Sequence, residues 1–256
     1  MSDWGTFLSA MTLALVRVSG MVLFAPFFSS PQLPARTKVV FVLAVAYLLS
    51  PLVAGLPHAR TEISFAAVIG ELAVGLVYGL ALAMLSEMLL FAGQIVGMQL
   101  SFSLVNLMDP SSQIETPLMG QLFQLVGTLV LIAAGLDRVL VASLVRSFHA
   151  VPLGAYALAP VTGLALVQAA SGVFVAALEL AAPVLAATML VEISVALMGK
   201  LSPQLPVMFL SVPLKTLTGF VVLAGSLALW ARFIEARFGG LLDMAERLIG
   251  APGAGG

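Results

Sequence analysis

The sequence predicts an all-α, membrane-associated protein of about six apolar segments, and three observations carry that reading. Of 256 residues, 61% are hydrophobic and 9% are charged, with a mean hydropathy of +1.13. Soluble proteins carry about 25% charged residues, so this chain lacks the polar material to coat a water-soluble globule of its size. Its apolar residues fall in runs near the roughly 17–25 residues that cross a bilayer as a helix. Alternation with a period of two is absent, which leaves the helix as the way to satisfy every backbone group in an apolar solvent.

Composition also removes whole classes of chemistry. With no cysteine there is no disulfide framework, thiol nucleophile or thiolate metal site. The two histidines, His58 and His149, are far apart, and no His/Asp/Glu cluster has ligand spacing for a metal that needs three or four donors. A net charge of −1 gives no pull toward nucleic acid. GxSxG, HExxH, a phosphate-binding loop and GxGxxG in a strand–helix setting are all missing, so neither an enzyme nor a cofactor is expected. The start, Met1-Ser2-Asp3-Trp4, has no cationic stretch, so the first apolar run is expected to stay in the mature protein.

The segments follow in order. Residues 7–28 are apolar with one charge, Arg17, and 29–38 form a turn with Pro31, Pro34, Arg36 and Lys38. Residues 39–56 are uncharged and end at a polar stretch, 57–62. The run 63–108 is too long for one crossing; it holds Glu71 and Glu87 and is uncharged from Met88 onward. Residues 109–117 are the longest polar break, and 118–136 is uncharged again. After Asp137 and Arg138 a shorter apolar piece leads to Arg146-Ser147-Phe148-His149. Residues 151–178 are uncharged but punctuated by Pro152, Gly154 and Pro160, and Glu179, Pro183 and Glu192 interrupt the next run. After a break at 200–206, with Pro213 and Lys215 beyond it, the last span covers 216–231. It leads into a charged amphipathic tail, 232–249, and residues 250–256 read as a disordered end. Acids accompany most of the cations, so loop charge gives little leverage on orientation.

Three kinds of residue stand out. Charges in apolar context, Arg17, Glu71 and Glu87 with Glu179 and Glu192, cost at least about 2.5–3.5 kcal/mol each on insertion scales. They read either as a proton or cation relay or, more simply, as helix ends and buried pairs with Arg17, Arg146 or Lys215. Glu71 and Glu87 lie about 24 Å and roughly 160° apart on one helix, too far for a carboxylate dyad. Small-residue stripes, Gly75-x-x-x-Gly79-x-x-x-Ala83 and Gly93-x-x-x-Gly97-x-x-x-Ser101, allow close helix approach, within a hairpin or against partner chains. Pro26, Pro160, Pro183 and Pro213 kink or end helices and suit a buried multi-helix core. Met84, Met88, Met98, Met108 and Met119 gather around the central break, as core filling or as a surface able to repack.

A set of short motifs runs in order along nearly the whole chain. It comprises Arg17-Val18-Ser19-Gly20, Ala25-Pro26-Phe27-Phe28, Leu33-Pro34-Ala35-Arg36, and Gly70-Glu71-Leu72 with Gly75 and Gly79. Gly93-Gln94 with Gly97-Met98-Gln99, Asp109-Pro110 with Pro117, and Ser147-Phe148 with Val151-Pro152-Leu153-Gly154 follow. Ser202-Pro203-Gln204-Leu205 and Val212-Pro213-Leu214-Lys215 complete it. Together they resemble the FliR family of the flagellar type III export gate, whose injectisome counterpart is SctT.

The resemblance implies a non-enzymatic subunit of the inner membrane and flagellar basal body. It implies kinked helical hairpins within a helical, pore-forming assembly with FliP-like and FliQ-like subunits, working with FlhB-like and FlhA-like proteins on unfolded protein substrates. It further implies that residues 1–249 form one domain like a FliP-like unit fused to a FliQ-like one. The plug of the closed pore would match the stretch 102–117, with Phe102, Leu104, Leu107, Met108, Asp109, Pro110 and Pro117. Leu104 and Leu107 stand where the family often carries bulkier aromatics. Gly75, Gly79, Gly93, Gly97, Gln94 and Gln99 would serve helix packing and subunit contact. Other readings are an injectisome subunit and a proton- or cation-coupled small-solute transporter using Glu71 and Glu87.

Overall fold

A chain whose solvent offers no hydrogen bonds must satisfy its own backbone, and this one does so as helix. The computed structural model describes residues 2–24, 34–101, 118–156, 161–202, 204 and 207–250. Among them are seven helices and no strand: α1 Ser2–Phe24, α2 Ala35–Ala54, α3 Phe65–Gln99, α4 Leu118–Ala133, α5 Leu136–Ala150, α6 Val161–Leu201 and α7 Val207–Gly250. Among the described residues, five stretches are long and apolar enough to cross a membrane: Trp4–Phe24, Ala35–Ala54, Phe65–Gln99, Ala170–Leu201 and Phe209–Ile249. The all-α membrane protein expected from composition is therefore what the chain forms, with α4, at 16 residues, as a shorter apolar helix.

The elements differ from the expected segments mainly in being longer. The runs on either side of Glu179 join in the 41-residue α6, which passes through Pro183. The last span and the charged tail join in the 44-residue α7, which passes through Pro213. Each proline removes one intrahelical donor, whereas ending a helix leaves up to four carbonyls and four amides to be satisfied. In apolar surroundings the single loss is the smaller penalty. Hydroxyl groups on these helices bond back to the turn before them: Thr188 Oγ1 donates to the Val184 carbonyl at 2.8 Å and Ser194 Oγ to that of Leu190 at 2.8 Å.

The chain divides into two compact units, Met1–Leu85 with Gly135–Ala170 and Ala236–Gly256, and Ser86–Ala134 with Ser171–Glu235. In the first unit α1 packs on α2, with Phe7 and Tyr47 edge to face at 5.8 Å. Its core takes Leu13, Ala14 and Val18 from α1, Val74, Tyr78 and Leu85 from α3, and Leu144 and Phe148 from α5. The tail read as amphipathic buries Phe238, Leu242, Ala245 and Ile249 there, a helical spacing of four, three and four. The second unit centres on Met88, Leu89, Ala92 and Val96 of α3, Val184 of α6, and Phe123 tilted at 55° against Trp230 with ring centroids 4.5 Å apart.

Glycine sets the helix separations inside each unit. A Cβ on Gly75 would run into the Arg17 carbonyl and stand 3.2 Å from Gly20 Cα. One on Gly79 would stand 3.0 Å from the Gly20 and Met21 carbonyl oxygens, so α1 and α3 meet backbone to backbone. In the second unit a Cβ on Gly93 would lie 2.5 Å from the Met119 carbonyl oxygen and 2.6 Å from Gly120 Cα, and one on Gly97 3.2 Å from the Met119 side chain. Both stripes thus face helices of the same chain.

Overpacking a fitted site costs typically about 1–3 kcal/mol, and here the obstacle is backbone, which does not rotate away. Gly75→Leu and Gly93→Leu should each lower the thermal midpoint of the detergent-purified protein and reduce its yield from membranes. Gly225→Leu, where an added Cβ would meet nothing within 4 Å among the described residues outside its own helix backbone, should keep both close to the parent. Equal midpoints for all three would remove the glycines from this role.

Candidate functional site

The strongest polar feature of the first unit begins with Arg17, in the middle of α1, where no water reaches it. A lone charge there would be costly, and the fold surrounds it with acceptors from three other segments. Its Nε donates to Glu71 Oε2 on α3 at 2.5 Å, and both side chains are 0% exposed. One terminal nitrogen donates to Ser147 Oγ on α5 at 3.2 Å and the other to the Val151 carbonyl at 3.1 Å. The guanidinium also lies over the Phe148 ring, 4.1 Å from its centroid.

Glu71 is held at both oxygens, because Oε1 accepts the Gly154 backbone N–H at 2.9 Å. Gly154 has φ +70, and a Cβ there would sit 2.7 Å from the Arg60 carbonyl oxygen, so both its conformation and its surroundings require glycine. The Arg60 N–H donates to the Leu153 carbonyl at 2.8 Å, fastening the connection between α2 and α3 to the same loop. Arg17, Gly70-Glu71, Ser147-Phe148 and Val151 to Gly154 are distant in sequence and meet here. Charge is balanced and each carboxylate oxygen accepts a hydrogen bond from another segment, so the cluster holds these helices together.

The remaining expected residues sit as follows. Glu87, expected as a buried charge, is exposed. The buried face of that stretch of α3 is Leu85, Met88, Leu89, Ala92 and Val96, and Glu87 points roughly to the opposite side at 100° per residue. Gln94 and Gln99 are half-buried. Glu192 pairs with Lys215 at 3.0 Å, joining α6 to α7. Phe102, Leu104, Leu107, Met108, Asp109, Pro110 and Pro117 lie outside the described residues.

Residue-type reasoning did not foresee Ser147, Val151 and Gly154 as partners of the ion pair. The available signal was their place in the ordered motifs, since a serine, a carbonyl and a glycine carry no charge that would mark them. A second feature it passed over is Gly219 on α7, where a Cβ would collide with the Leu100 side chain.

Removing one member of a buried pair costs about 3–5 kcal/mol, whereas replacing both with apolar groups is often neutral. Glu71→Ala should therefore sharply reduce the folded protein recovered from membranes, and Arg17→Met with Glu71→Leu should restore more than half of that loss. Recovery is read as monodisperse protein after detergent extraction; a double variant as poor as the single one would contradict the pairing.

Comparison with known proteins agrees with the ordered motifs. The family described as bacterial export proteins, family 1, matches residues 8–241. A flagellar biosynthetic protein FliR of Escherichia coli K12 is 25% identical over 96% of this chain and 95% of its own length. One of Caulobacter vibrioides is 28% identical over 91% and 94%, and one of Bacillus subtilis 24% over 84% and 84%. With the family match covering nearly its whole length, the chain belongs to the bacterial export proteins, family 1.

Proposed function

We propose that this chain is a core subunit of the pore-forming part of the flagellar export gate in the bacterial inner membrane, at the base of the flagellum. Family membership and the flagellar relatives make it a component of flagellar type III protein export and not an enzyme. The observation that carries the reading is that match from residue 8 to residue 241, which takes in Arg17, Glu71, Ser147 and Gly154. Its partners in this reading are FliP-like and FliQ-like subunits, with FlhB-like and FlhA-like proteins beside them and unfolded flagellar subunits as cargo.

Residues 1–249 act as one domain, comparable to a FliP-like unit continued by a FliQ-like one. Apolar faces that the chain leaves uncovered support a place among lipid and other apolar helices. On α6 they include Phe174, Leu178, Leu190, Ile193 and Leu197, each at least half exposed. The flagellar names of the relatives favour this system over the injectisome counterpart. Glu71, tied at both oxygens, and the match to export proteins weigh against a small-solute transporter.

In this reading the chain gates passively. Residues 102–117 plug the resting pore with apolar side chains, and ions gain little by entering an apolar constriction. The energy for export comes from the proton-motive force and a separate ATPase. Deleting 106–113 should leave the complex assembled and raise the ion permeability of cell membranes several-fold, measured as a fluorescence-reported influx. Unchanged permeability with normal export would overturn the plug assignment.

A further inference from the structure

The chain passes between its two compact units along α3 after Leu85, in the turn after Ala134, along α6 after Ala170 and along α7 after Glu235. Helix α3 makes that passage fully packed: Leu82, Leu85, Met88 and Leu89, on both sides of the division, are each under 5% exposed. The other passages carry glycine, and nothing there requires glycine for space. An added Cβ at Gly135, Gly172, Gly239 or Gly240 would meet nothing within 4 Å among the described residues outside its own helix backbone. Gly75 and Gly93, which close contact does require, stand inside their units.

The turn glycine has its own explanation, since Gly135 takes φ +71. Gly172, with Ser171 before it, and the pair Gly239-Gly240 do not, because they stand within α6 and α7. Glycine is the weakest helix former after proline. Ala170, Ser171, Gly172 and Gly240 are also exposed, so packing does not hold these turns straight. What glycine supplies at such places is backbone freedom. Sharp bends in helices occur at Gly/Ser pairs, and hinges are made of a few such residues at the ends of rigid parts.

We propose that α6 and α7 are jointed: Ser171-Gly172 and Gly239-Gly240 are the points at which these two long helices bend, while α3, packed through its own passage, stays straight. Bending there lets the uncovered apolar face of α6, with Phe174, Leu178 and Leu190, settle against its surroundings without disturbing the core of either unit. The inference rests on the reading of the chain as an export subunit only for the export measurement below.

Alanine keeps a helix and removes the freedom. Gly172→Ala combined with Gly239→Ala and Gly240→Ala should leave the thermal midpoint of the full detergent-purified chain at or above the parent's, because each methyl enters open space. In the parent, amides over 169–174 and 236–242 should exchange about tenfold faster than those in the flanking turns of the same helices, and in the triple variant they should slow by about that factor. Export of flagellar subunits from cells carrying the triple variant should fall about fivefold or more. A lower midpoint would mean that the glycines are there for space. Exchange in the parent no faster than in the flanking turns, or not slowed by alanine, would mean that there is no joint. Either result overturns the proposal.

Gly225→Ala is the control, since it removes a glycine with equally open surroundings from α7, away from the passage after Glu235. It should leave export at the parent's level. Export lost equally in this control, or kept in the triple variant, would contradict the hinge. Export that survives loss of the whole chain would sink the export reading instead, and the exchange rates would then decide the hinge alone.

Discussion

The first unit depends on one constraint: a guanidinium placed in the middle of an apolar helix has to be neutralised and hydrogen-bonded by protein. Arg17 achieves this with Glu71, Ser147 and Val151, and Glu71 in turn takes the Gly154 amide. These contacts join α1, α3, α5 and the loop after α5, and the Arg60 amide adds the connection before α3. In water such a pair contributes little net stability, but in a low-dielectric interior leaving either member alone is what costs most. The pair therefore excludes arrangements in which these segments separate more than it strengthens the one that forms.

Helices in lipid are not driven together by the hydrophobic effect, so contact has to come from close van der Waals approach. The glycines supply it, and they do so next to the polar contacts. Gly75 fits against the Arg17 carbonyl, one turn of α3 beyond Glu71, so the close crossing and the ion pair occupy the same place. In the second unit Gly93 meets Met119 and Gly120, and Glu192–Lys215 ties α6 to α7. Charge fixes which helices meet, and the missing side chains fix how closely.

Much of the fold class was legible because it follows from composition and run length: few charges, long apolar stretches and no alternation. Helix boundaries were less so, since Pro183 and Pro213 read as breaks but cost one hydrogen bond each inside helices that continue. Arg17 and Glu71 were legible as a possible pair because each is a charge in a setting that penalises charges. Their neutral partners were not, because a carbonyl and a backbone amide leave no mark in a sequence, and Gly154 declares its role only through φ +70 and the Arg60 carbonyl beside it. Glu87 misled for a related reason: hydropathy reports the average of a segment and not the face a residue occupies. Gly219 lies in an ordinary apolar run, and only the position of Leu100 distinguishes it from Gly225.

The central claim is that a chain locked internally by a buried ion pair still leaves apolar helix faces that other export subunits complete. Native mass measurement in mild detergent tests it most directly, on this chain expressed alone and together with its FliP-like and FliQ-like candidates. The account predicts a hetero-oligomer of defined mass in the second case and a heterogeneous or aggregated species in the first. A monodisperse, folded monomer in both would contradict it.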